Sequence, residues 1–142
     1  MTHPASPYAL PATIEADLAE VHTYWQSLIR GQASDMPYWD DVKLSALPRL
    51  EDRMMLIGVF EKPERFRFEI IGRRITEHYG KDVTGSFADE IASAAPLEYL
   101  RAQASATVES RAPTYVRHGA QARLLLPLWG NGRISMLLGA VA

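Results

Sequence analysis

Met54-Met55-Leu56-Ile57-Gly58-Val59-Phe60, then Glu61-Lys62-Pro63-Glu64, then Arg65-Phe66-Arg67-Phe68-Glu69-Ile70: the reading of this stretch decides the fold. The first segment is a continuous apolar run, short enough for a buried strand. The second is a polar turn. The third alternates with period two, so one of its faces is buried and the other is wet. Together they predict a β-hairpin.

Downstream the pattern changes to helix. Arg73 to Tyr79 is a short helix stopped by Gly80. Ser86 can cap a second helix, with Asp89 three residues on and Phe87 and Ile91 paired at i, i+4. A third, alanine-rich helix is predicted from about Leu97 to Arg111, with Leu100, Ala104 and Val108 on one face and Pro113 as its stop. The last third returns to strands at Pro113–His118, Arg123–Trp129 and Arg133–Val141. Gly130-Asn131-Gly132 forms the final hairpin turn. Pro127 cannot donate a ladder hydrogen bond, so a bulge or an unpaired N–H side is expected there.

Upstream of the hairpin, residues 32–52 hold Pro37 and Pro48 and read as a connector with one helical turn near Ser45. Before it, Ile14, Leu18, Val21, Trp25, Leu28 and Ile29 recur at helical spacing, which predicts a helix from Thr13 to Arg30 with Gly31 at its C-cap. That stripe either packs on its own domain or forms a homodimer through Leu18, Val21, Trp25 and Leu28. The dimer is the expectation, because an apolar stripe of this size has to be covered. Residues 1–12 contain Pro4, Pro7 and Pro11 and are expected to be a flexible leader. The chain therefore divides into a leader at 1–12, an N-terminal helix at 13–31 and one domain at 32–142. Strand hairpins at both ends of a helical middle define an α+β class with an antiparallel sheet.

Composition narrows the function classes. The chain has 142 residues, 47% apolar and 23% charged, which suits one globular domain. A net charge of -2 gives no electrostatic footprint for nucleic acid. No apolar run approaches the roughly 18 to 20 residues of a membrane span, and no secretory signal is evident, so no membrane partner and a cytoplasmic location are expected. The absence of cysteine excludes thiolate nucleophiles, iron–sulfur clusters and cysteine-based zinc sites. His3, His22, His78 and His118 show no metal-ligand spacing, and no cofactor is expected.

Four stretches resemble the PAS domains, in particular the short, largely stand-alone bacterial PAS proteins. They are YWQSLIRG at Tyr24–Gly31, LPRLEDRMML at Leu47–Leu56, RFRFEIIGRRITEHYGKDVTG at Arg65–Gly85 and ARLLLPLWGNGRISMLLGA at Ala122–Ala140. The resemblance covers nearly the whole chain after the leader. It implies a five-stranded antiparallel sheet in the order 2-1-5-4-3, with the helices at 73–111 covering one face and enclosing a cavity. It also implies a sensor or regulatory function, exercised on a small ligand, on a separate signalling partner, or on both.

The candidate ligand contacts follow from that layout. Phe68, His78, Tyr79, Tyr99 and Tyr115 lie on elements expected to face the gap between sheet and helices, where a small apolar or mixed ligand would sit. Asp40-Asp41 and Glu51-Asp52 are carboxylate pairs, but in polar connectors they read as solvated charges rather than catalytic groups. Gly80-Lys81-Asp82-Val83-Thr84-Gly85 lacks Walker spacing and reads as a turn between helices. No enzymatic activity is expected. Two alternatives stand beside the sensor: a PAS-type interaction module with a filled core, and a small α+β isomerase or dehydratase. The early hairpin counts against the latter.

Overall fold

A computed structural model of the chain describes residues 7–30 and 35–142. The expected Gly31 cap, His3 and the first half of the leader lie outside those residues. The strands are β1 (Met54–Phe60), β2 (Arg65–Ile71), β3 (Thr114–His118), β4 (Gln121–Gly130) and β5 (Arg133–Val141). They form one antiparallel sheet in the order β2-β1-β5-β4-β3. The α+β class and the strand order are those expected. The helices are α1 (Ala16–Ser27), α2 (Arg73–Tyr79) and α3 (Leu100–Ser110). Among the described residues no helix is long and apolar enough to cross a membrane.

Both faces of the sheet are covered. In β1 every residue from Met54 to Val59 is buried, and in β4 every residue from Ala122 to Leu128. A strand covered on both sides reads as a continuous apolar run rather than an alternation. Paired residues show which side chains share a face. Met54, Ala140, Leu124 and Tyr115 lie in one row, and Leu56, Leu138 and Leu126 in the next. α1 packs across β4 and β5 on this side. On the other side α3 packs against β3 and β4.

The stripe of α1 is therefore buried within its own chain. Leu18, Val21 and Trp25 are at most 4% exposed, and Leu28 is half-buried against the same core. The expected dimer interface is corrected here: the outer row of β4 and β5 is as apolar as the stripe, and the two cover one another. The indole of Trp25 donates from Nε1 to the Pro127 carbonyl, 2.9 Å away.

Two helices differ from expectation. The one expected after Ser86 is a single 3-10 turn, Ala88–Glu90. Phe87 sits at its start and its backbone N–H donates to Glu90. Rather than pairing with Ile91 along a helix, Phe87 packs edge-on against Phe60, under the guanidinium of Arg65. α3 begins at Leu100, not Leu97, because Tyr99 takes a left-handed conformation at its N-cap, which a helix running through 97–99 cannot contain.

Alternation in β2 holds as far as Phe68 and then breaks. Ile57 pairs with Phe68 and Leu56 with Ile70, so Glu69 is an extra residue and β2 bulges. Ile70 is thereby turned outward and is exposed. Pro127 lies beyond the last residue that β3 pairs with β4, Leu125, so no strand ladder needs its missing N–H on that side. The expected bulge occurs one residue later, between Leu128 and Trp129.

Short cross-pieces lie along the rims. Phe68 at the β2 rim donates to the Ser86 carbonyl and accepts from the Gly85 N–H. At the β3 rim Tyr115 donates to the Tyr8 carbonyl, and Ala9 bridges Thr114. Part of the leader is thus tied to the sheet. Beyond the end of β3, Trp129 donates to Pro37 and bridges Tyr38.

Candidate functional site

The space between the sheet and α2–α3 is filled by side chains. Ile57, Phe68, Ile75, Leu125 and Leu137 are fully buried in one core. The five residues expected to ring a ligand there are not brought together. Phe68 is core. His78 is exposed on α2, in an open groove beside Arg53, Arg74 and the chain end. Tyr79 is half-buried and donates its hydroxyl to the Ala92 carbonyl at 2.7 Å. Tyr99 is 66% exposed and leans on the His118 ring. Tyr115 lies on the opposite face, where its hydroxyl donates to the Glu15 carboxylate at 2.8 Å and Arg117 pairs with the same carboxylate. Its neighbour Thr114 turns the other way, toward Thr107 and Gln103 of α3.

The most unusual group inside the fold is Arg123. The residue is 3% exposed and forms no ion pair among the described residues. Nε donates to Gln103 Oε1 at 2.7 Å, Nη1 to the Pro96 carbonyl at 2.9 Å and Nη2 to the Glu98 carbonyl at 2.8 Å. Burial pushes its pKa down to about 10, against the opposing pull of Glu98 and Tyr8. The group stays charged near neutral pH, and its role is geometric: it pins the segment before α3 to β4. Gln103 completes the network by donating to Thr114 and to the Arg123 carbonyl.

Two of the connector carboxylates expected to be solvated are instead ion-paired. Asp41 forms a two-point pair with Arg30, and Asp52 lies 3.5 Å from Arg74. Asp82 accepts from the backbone and hydroxyl of Thr84, a local turn. Among the described residues no group of three or more His, Asp or Glu is placed to hold a metal ion.

The concavity with the most varied chemistry lies on the outer face of the sheet. It is a groove of about 340 Å³ whose lining includes Trp39, Phe60, Arg67, Glu69, Arg133 and Ser135. Arg67 and Glu69 pair at 2.5 Å, and Arg67 also lies over the Phe60 ring. Arg133 Nη1 donates to the carbonyls of Val59 and Ile134. Ser135 Oγ is shielded from water and has no hydrogen-bond partner among the described residues. A Cβ on Gly130 would lie 2.4 Å from Trp39 Cδ1 and 2.6 Å from Ser135 Oγ, so glycine is what lets the indole edge settle beside that hydroxyl. Sequence reading did not single out Trp39, Arg133 or Ser135. The available signal was two polar residues at period two, Arg133 and Ser135, in an otherwise apolar strand.

Comparison of the chain with family models, with curated proteins and with solved structures returned no match.

Proposed function

We propose that the chain is a small cytoplasmic regulatory domain of PAS type that works by binding a separate protein partner, without a catalytic step and without a ligand enclosed between sheet and helices. One observation carries the reading: side chains occupy the space where an enclosed ligand would lie, with Phe68, Ile75 and Leu137 fully buried there. The sheet order and the resemblance of the strand motifs support the PAS assignment. Large apolar side chains left outside, among them Tyr38, Ile70 and Tyr99, supply surface for a partner. Association between copies has to use surface of this kind, since the α1 stripe is already covered.

Native mass spectrometry of the purified chain tests the reading. The expected spectrum contains only the mass of the polypeptide, as one or more subunits. A stoichiometric non-covalent mass that survives purification overturns it in favour of a sensor with an interior ligand.

A further inference from the structure

We propose that the outer-face groove between Trp39 and Phe60 is a binding site for a small planar carboxylate, held by Arg133. The inference goes beyond the partner-binding reading and does not depend on it.

The argument begins with the guanidinium of Arg133. Its Nη1 is anchored on two backbone carbonyls, Val59 at 2.9 Å and Ile134 at 3.1 Å. That fixes the plane of the group. The two N–H directions that form a carboxylate fork, Nε–H and the outer Nη2–H, make no hydrogen bond among the described residues. A guanidinium oriented by carbonyls and left with its fork open is built for two-point capture of a carboxylate. No carboxylate within the described residues forms an ion pair with it.

The rest of the groove agrees in charge and shape. Its ionic lining is Arg67, Glu69 and Arg133. Glu69 is matched by Arg67, which leaves one net positive charge, that of Arg133. The Ser135 hydroxyl is a second donor without a partner among the described residues. It lies beside Gly130, as does the edge of Trp39, a residue that is 42% exposed on a short 3-10 turn. A small rotation of that side chain offers the indole face to a flat apolar body. Phe60 closes the opposite wall. A volume of about 340 Å³ is at the lower end for small-molecule sites and suits a compact ligand.

The test is isothermal titration of the full chain with 2-naphthoate and with 2-naphthamide, its neutral counterpart. Naphthoate is expected to bind with a Kd of about 1 mM or tighter, the range open to a ligand of this size. The amide is expected to bind at least about tenfold more weakly. Arg133→Gln should reduce naphthoate to the level of the amide, and Ser135→Ala should cost a few-fold. Arg133 also ties two strands, so Trp39→Ala serves as a second variant outside the core, and it should abolish the preference for naphthoate over a short aliphatic acid such as butyrate. Equal binding of acid and amide, naphthoate binding unchanged in Arg133→Gln, or no heat with naphthoate at about 10 mM overturns the proposal. None of these results bears on the mass expected of the purified chain.

Discussion

Trp25 and Pro127 are joined by a hydrogen bond from the indole N–H to the proline carbonyl, 2.9 Å long and 102 positions apart in the chain. It ties α1 to the one stretch of β4 whose outer rim β3 does not pair. Replacing Trp25 with Phe removes the bond and part of the ring, which should cost about 1–3 kcal/mol. Trp25→Glu would bury a charge with nothing opposite it and should lower stability by at least about 4 kcal/mol. Urea unfolding followed by circular dichroism reads both. A folded Trp25→Glu chain that merely changes subunit number would return the α1 stripe to an interface.

Arg123 and Gln103 should behave as a unit. Gln103→Leu leaves the guanidinium Nε facing an apolar group inside the core, and Arg123→Met leaves the Pro96 and Glu98 carbonyls without their donor. Each should cost about 2–4 kcal/mol. The double variant should cost clearly less than the sum, because each single change strands what the other still holds. Additive losses in a thermal unfolding cycle would show that the two side chains are independent.

Glu15 holds the start of α1 against β3. Burial alone would raise its carboxyl, but hydrogen bonds from its own backbone, Tyr115 and Arg117 outweigh this and hold it below the usual carboxylate range. A carboxylate depressed in the folded state stabilises above its unfolded pKa, and the gain is lost as pH falls through the folded value. The side chain is near the surface, so Glu15→Gln should cost less than about 1 kcal/mol near neutral pH. The two proteins should converge in acid, below the normal carboxylate range. A gap that stays constant with pH would show that the effect is packing.

His22 carries the same sign as Glu15, in a higher pH window. Burial beside Trp25, whose ring stacks on the imidazole at 5.9 Å, holds its pKa below the usual value. Between the folded and the ordinary pKa the unfolded chain binds the extra proton, so stability falls as pH drops through that window. His22→Gln should remove this part of the slope. An unchanged slope in a pH series of melting temperatures would assign it elsewhere.

Gly72 sits where β2 turns into α2. A Cβ there would lie 2.3 Å from the Asp52 carbonyl oxygen and 2.4 Å from its carbon. Those atoms are backbone and cannot swing aside, so Gly72→Ala should cost about 1–3 kcal/mol despite an ordinary φ of -63°. A neutral result by thermal melting would mean that the 51–53 turn shifts freely.

The β1–β2 hairpin and α2 were legible in the sequence because their patterns are local: an apolar run, a polar turn, an alternation, a glycine stop. The strand order came from the resemblance rather than from periodicity. The segment after Ser86 reads as helix because Phe87 and Ile91 share helical spacing, whereas Phe87 is held by Phe60 and Arg65, which are distant in sequence. The expected ligand ring failed for a similar reason. Which of Thr114 and Tyr115 faces α3 is decided by register against β4, and nothing within Thr114–His118 reveals it. Arg133 is not legible in the sequence because a cation at the start of a strand reads as solvated until the carbonyls that orient it are placed.

The cross-pieces at residues 8–9, 37–38 and 85–87 have a bearing on how other chains can approach. Each occupies main-chain donors and acceptors that a neighbouring polypeptide would otherwise use to extend the sheet. Strand addition is thereby blocked at those places, both as a route to fibrous stacking and as a mode of recognition. Whatever docks there has to read side-chain shape and charge rather than backbone, which confers sequence selectivity that strand addition alone lacks.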